Sequence, residues 1–252
     1  MWKATFLTIV FITLWYVAQS AAAQVMSSAN YQIQFDSLNV GGARASSSTY
    51  TLEDTTGEIA TGPSDSGSYR LRAGYQQMSE VYLAMTAPSN VTLTPALPGV
   101  TGGTANGNTA VTVTTDSAAG YQLTIRASSS PALSRNGGGD AFDDYTPSGG
   151  VPDYMFSVGT GEAFFGFTPE GSDIAARFRN NGLQTCGTGS SDDTDACWDG
   201  LSTSDVVVAE RGSGNHPNGT QTTLKFRAGA GANANKLSGT YTATTTLTAV
   251  AL

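Results

Sequence analysis

The sequence predicts an all-β protein: an antiparallel β-sandwich of Ig-like, Greek-key type, preceded by a small module of repeated β-hairpins. Three observations predict it. Short runs of alternating apolar and polar residues, rich in Thr, Val, Ile and Tyr, recur through the later part of the chain. Clusters of Gly, Ser, Asn and Pro separate them, and none of the runs has a helical period. The earlier part holds an internal repeat, which is the signature of stacked or paired supersecondary units.

Residues 1–23 read as an export signal. Lys3 supplies the positive start, Ala4 to Val17 is apolar, and Ala21-Ala22-Ala23 gives a small-residue cleavage site before Gln24. The apolar run falls short of the roughly 20 residues that a spanning helix needs, so a mature chain without a transmembrane segment is expected. Secretion, to the outside of the cell or its surface, follows from that reading.

Residues 24–85 read as the hairpin module. Tyr31, Tyr50 and Tyr69 are evenly spaced, 19 residues apart, and Ile33, Leu52 and Leu71 keep the same step. A tyrosine and an aliphatic residue two apart point to one face of a strand. One unit cannot bury that face alone, so the copies are expected to stack or pair.

Residues 86–252 read as the sandwich, with Thr86-Ala87-Pro88 as the joint. Strands are expected at Val91–Leu93, Ala110–Thr114, Tyr121–Arg126, Tyr154–Val158, Asp205–Ala209, Thr222–Arg227 and along Gly239–Val250. Asp116–Gly120 reads as the turn between the second and third of these, and Ile174–Phe178 as a helical turn. Ser128–Gly150 and Asn180–Asp199 read as long loops, the usual place for binding on a rigid scaffold.

The run Ser28 to Met78, ending Gly74-Tyr75-Gln76-Gln77-Met78, resembles a module of uncharacterised exported β-rich surface proteins of candidate-phylum bacteria. The segment Thr114 to Ile125 and the closing Gly239-Thr240-Tyr241 strand are similar to the sandwich that follows that module. This resemblance spans nearly all of the chain after the signal and implies a surface or secreted role, with no established activity attached. A weaker likeness is to WxL-type wall-binding domains, which also end on a Gly-Thr-Tyr strand. The last strand here reads Thr246-Leu247-Thr248, without Trp-x-Leu.

Composition narrows the partners. The 252 residues carry 20 acidic and 12 basic side chains, so the chain repels phosphate backbones and is a poor match for nucleic acid. Cys186 and Cys197, in an exported chain, are expected to form a disulfide that closes their own loop. Asp192, Asp193, Asp195 and Asp199 crowd the same loop, and Asp140, Asp143, Asp144 and Asp153 crowd the earlier one. Carboxylates gathered in loops suit a hard cation, which makes the first set the candidate calcium ligands. Trp198 and Tyr145 are the candidate ligand-binding aromatics, with Tyr154, Phe164, Phe165 and Phe167 nearby; glycans are the matching ligand class.

No catalytic set stands out. His216, the single histidine, lies in a Gly/Asn/Pro turn, and no G-x-S-x-G elbow or His-x-x-x-His pair is present. The expected protein is therefore a secreted or cell-surface structural or interaction protein without catalytic activity. It would partner other envelope or matrix proteins, or itself, by self-assembly. The alternatives are an adhesin-like carbohydrate- or cell-surface-binding module and a carboxylate-dependent glycoside hydrolase. That hydrolase would draw on a pair among the scattered Glu53, Glu58, Glu80, Glu162, Glu170 and Glu210.

Overall fold

A computed structural model describes residues 81–252 throughout and, before them, the strand segments 26–27, 32–33, 44–46, 51–53, 62–65 and 70–73. The expected signal at 1–23, the three repeat tyrosines and most of the expected hairpin module lie outside the described residues. Within that part, β1 (Met26–Ser27) pairs antiparallel with β2 (Gln32–Ile33), and β3 (Arg44–Ser46) pairs likewise with β4 (Thr51–Glu53). A third pair joins β5 (Gly62–Asp65) to β6 (Arg70–Ala73).

The larger of the two units into which the chain divides carries everything from Glu80 onward. Its strands are β7 (Leu83–Met85), β8 (Gly103–Thr115), β9 (Tyr121–Ala127), β10 (Leu133–Arg135), β11 (Ala141–Asp144) and β12 (Ala163–Glu170). They continue with β13 (Asp199–Gly200), β14 (Val206–Arg211), β15 (Thr220–Ala230), β16 (Tyr241–Thr242) and β17 (Thr245–Ala251). One 3₁₀ turn, Ala176–Phe178, falls inside the expected helical turn.

Two sheets share these strands. The larger is ordered β16-β10-β11-β12-β15-β8-β7, with β13 beside β12; the smaller is β14-β9-β17. All pairings are antiparallel except β11 with β12, which run parallel. The larger sheet curls as a half-barrel, so the arrangement departs from the expected clear sandwich. The long β8 and β15, paired over their whole length from Thr220↔Val113 to Ala230↔Gly103, form its spine.

Period-two burial builds the core. Val111 and Val113 of β8, Phe165 and Phe167 of β12, and Leu224 and Phe226 of β15 point inward from the curl. Tyr121, Leu123 and Ile125 of β9, with Val208 of β14, join the same cluster from the smaller sheet. Side chains such as Leu123 and Ile125, fully buried, each contribute about 2 kcal/mol through the area removed from water.

Four expected elements differ. Val91–Leu93 forms no strand: it crosses the inner face at Gly107, where a Cβ would come within 2.5 Å of Val91 Cγ1, and only Thr94 bridges to Asn106. Tyr154–Val158 does not pair as a strand; it packs across the outer face of β12 and β15, as described below. The expected loop Ser128–Gly150 contains β10 and β11. The closing run Gly239–Val250 is two strands, because the chain leaves the larger sheet after Thr242 and enters the smaller one at Thr245.

Candidate functional site

Two places in the larger unit hold the residues that sequence reasoning singled out or left open: the disulfide-closed acidic loop, and the edge of β17.

The disulfide forms as expected, with the Cys186 and Cys197 sulfurs 1.95 Å apart. Both cysteines belong to the main apolar cluster, together with Phe167 and Phe178. The next residue, Trp198, stands apart from that cluster. Its main chain pairs with Asp153 (Trp198 N to Asp153 O, 2.7 Å; Asp153 N to Trp198 O, 2.9 Å), and its indole N–H donates to the Asp195 carbonyl at 2.9 Å.

Trp198 is part of a second, smaller aromatic core on the outer face of the larger sheet. Its ring meets Phe156 edge-on at 5.4 Å, and Phe156 stacks on Tyr145 at 4.6 Å. Two glycines make room for these rings. A Cβ on Gly166 would lie 3.0 Å from Tyr145 Cβ and 3.1 Å from Phe156, and one on Gly229 would lie 2.7 Å from Val158 and 2.8 Å from Phe156. This explains the apolar alternation at 154–158: Phe156 and Val158 face the sheet without hydrogen-bonding into it.

Arg227 completes the cluster. Its guanidinium lies 4.3 Å from the Trp198 ring and 5.8 Å from that of Phe156. Its Nε donates to Asn106 Oδ1 at 2.5 Å, and Asp195 lies 3.9 Å away. The cation position over Trp198 is therefore filled by the protein's own side chain. Trp198 is 1% exposed and Tyr145 5%. Neither of the two expected ligand-binding aromatics presents a ring face to solvent: both are interior packing residues. Burial raises the Tyr145 phenol's pKa, and its hydrogen bond to Asp153 adds to the shift.

The expected calcium ligands do not converge. Asp192 accepts the Gly171 N–H at 2.7 Å, Asp193 accepts the Tyr154 hydroxyl at 2.9 Å, Asp195 pairs with Lys225 at 3.0 Å, and Asp199 pairs with Arg177. Among the described residues no group of three or more His, Cys, Asp or Glu is placed to hold a metal ion. In this structure the four carboxylates accept from loop donors or pair with Lys225 of β15 and Arg177 of the 3₁₀ turn. Burial raises the pKa of Asp199 despite Arg177, and raises that of Asp192. Two members of the earlier acidic group are engaged in the same way. Asp144 accepts from Ser130 and Ala132, and Asp140 accepts from Lys236, Leu237 and Tyr241. His216 lies edge-on to the Tyr82 ring at 5.4 Å.

The edge of β17 carries a different kind of chemistry. Ser128 N–H donates to the Thr244 carbonyl, and Leu252 N–H donates to that of Gly120. With the register Thr245↔Ala127 to Ala251↔Tyr121, these bonds show that even-numbered residues of β17 hydrogen-bond to β9. The N–H and C=O groups of Thr245, Leu247, Ala249 and Ala251 therefore point away from β9. Among the described residues no strand pairs with that side.

The outer edges of β14, β16 and β7 are blunted. The far side of β14 is covered by 173–175, through Glu210 N to Asp173 O and Ala175 N to Val208 O. Asp173 is itself anchored by Tyr121 Oη at 3.0 Å and Arg211 at 3.3 Å. At the ends of the larger sheet, β16 has two residues and β7 three. By contrast, β17 runs seven residues, Thr-Thr-Leu-Thr-Ala-Val-Ala, with no charge, proline or bulge. Short edges, charges, prolines and bulges are the usual guards against strand addition, and β17 has none of them.

Sequence reasoning missed Arg227, Phe156 and the two glycines. Their available signals were the alternation Lys225-Phe226-Arg227 and the single glycine within Phe164-Phe165-Gly166-Phe167. Among the described residues no helix is long and apolar enough to cross a membrane. No protein-family model, curated protein or solved structure matches the chain.

Proposed function

We propose that this chain is an exported, non-catalytic structural and interaction protein of a cell surface or its surroundings, which assembles by strand addition to β17. The observation that supports the reading is the seven-residue neutral edge of β17, beside three edges that are short or covered. An open edge gives a partner main-chain hydrogen bonds along its length, and alternate side chains set the specificity. In this reading residues 1–23 are the export signal, residues 24–85 the hairpin module, and residues 86–252 a sandwich-like assembly domain. The glycan-binding alternative draws little support from Trp198 and Tyr145, which are buried.

The test is light scattering with electron microscopy on residues 24–252. The native chain is expected to form assemblies, and Thr248→Lys, which puts a charge on the exposed side of β17, is expected to leave a folded monomer. A native chain that remains a discrete monomer at all concentrations contradicts the proposal.

A further inference from the structure

We infer that the strand added to β17 is the β17 of a second copy, antiparallel about a two-fold axis at Thr248. The inference rests on the function proposed above and specifies the partner for the same edge.

The register follows from which groups are free. The outward N–H and C=O groups belong to Thr245, Leu247, Ala249 and Ala251, so hydrogen-bonded pairs between copies must join odd residues to odd residues. Centring on Thr248 joins Thr245 to the partner's Ala251 and Leu247 to the partner's Ala249, and the converse pairs complete the ladder. This centring uses all seven residues and makes about eight main-chain hydrogen bonds. A shift of the centre to Leu247 or Ala249 leaves part of the edge unpaired.

The side chains are self-complementary in the same register. On the exposed face Thr248 meets the partner's Thr248, and Thr246 meets the partner's Val250; Thr–Thr and β-branched pairs favour antiparallel pairing. A two-fold axis opposes every charge near it to its own copy, and β17 has no charge to oppose. Arg126, beside Thr246 on β9, already faces Asp205 at 3.9 Å. Local neutrality matters because the whole chain carries a formal charge of −8, which disfavours contact between copies elsewhere. The product is a continuous six-stranded sheet, β14-β9-β17 followed by the same three strands of the second copy in reverse.

Cysteine cross-linking tests this on residues 24–252 with the native disulfide intact; Cys186 and Cys197 are 3% and 0% exposed and so shielded from exchange. Thr248 would form a non-hydrogen-bonded pair with itself, with Cα atoms about 4.5 Å apart, within disulfide reach. Mild oxidation of Thr248→Cys is expected to give a covalent dimer as the main product. Thr246→Cys and Val250→Cys lie about 13 Å from their own copies, four residues along a strand. Each is expected to stay uncross-linked alone and to dimerise when the two are mixed. Efficient self-linking of Thr246→Cys overturns the inference. So does failure of both Thr248→Cys and the mixed pair in a protein that assembles and loses assembly with Thr248→Lys; the proposed function then stands and only the partner is wrong. A native chain that neither assembles nor cross-links overturns both.

Discussion

Arg227 and Trp198 lie in cation–π contact, the guanidinium 4.3 Å from the centroid of the ring, on the outer face of β15. The contact ties the disulfide-closed loop to the sheet, because Trp198 follows Cys197 directly and Arg227 is one step from the core residue Phe226. A residue that looks like half of a ligand platform in sequence is thus the clasp of a secondary core.

Removing the clasp is expected to weaken the fold locally. Arg227→Ala should cost about 2 kcal/mol, from the cation–π contact and the hydrogen bond to Asn106, with Arg227→Lys costing less. In residues 24–252 Trp198 is the single tryptophan, since Trp2 and Trp15 precede them. Urea unfolding followed by its fluorescence reads both the stability and a red shift as water reaches the ring. An unchanged emission maximum and midpoint in Arg227→Ala would show that the clasp contributes nothing.

The two glycines under the rings should be sensitive to a single methyl group. At Gly166 the added Cβ meets the Asp199 carbonyl at 2.9 Å as well as Tyr145 and Phe156, so the covering segment has to move. Gly166→Ala is expected to lower stability by about 1–3 kcal/mol, as overpacking does. Gly212→Ala, with nothing within 4 Å of its added Cβ and no left-handed backbone angle, controls for the substitution itself. Thermal unfolding compares the two.

The disulfide closes a loop whose ends are 11 residues apart. Chain-entropy reasoning gives it about 2–3 kcal/mol. A Cys186→Ala, Cys197→Ala double variant should show that loss in denaturant unfolding while keeping its β-rich circular dichroism. Loss of all folded signal would instead make the bridge essential to the larger unit.

Acid and alkaline stability should both report on Asp140 and Tyr241, whose carboxylate and hydroxyl lie 2.5 Å apart. Burial alone would push the Asp140 carboxyl up, but bonds from Tyr241, Leu237 and Lys236, with the Lys236 charge, hold it down at about 2. A folded-state pKa below the unfolded one gives stability that is present above about pH 4 and lost as the pH falls toward 2. Burial, and then the bond to Asp140, push Tyr241 up to about 12, so its contribution is full below pH 10 and fades between 10 and 12. Each effect is on the order of 1 kcal/mol after solvent screening. Asp140→Asn should flatten the difference in urea midpoint between pH 4 and 2, and Tyr241→Phe that between pH 10 and 12; unchanged slopes would contradict the assignment.

What the sequence made legible was the chemistry of single strands. Tyr121, Leu123 and Ile125 alternate cleanly because one face of β9 meets the core and the other meets solvent. The strand β12 was hidden because it is buried on both faces: Phe165 and Phe167 enter the main core while Phe164 meets Tyr145 on the other side, so no alternation remains. The disulfide was legible from spacing and the expected export. The fate of the aspartates was not, since an acidic loop does not reveal which donors the fold will bring to it. Nor does a period of two distinguish a paired strand from a segment such as 154–158 lying flat on a sheet.

The central claim, strand addition at β17, is tested most directly by amide hydrogen exchange on residues 245–251 as concentration rises. Thr246, Thr248 and Val250 face β9 and should be protected throughout, whereas Thr245, Leu247, Ala249 and Ala251 should exchange fast in dilute protein and slow markedly on assembly. Fast exchange of those four amides in the assembled protein would contradict the account.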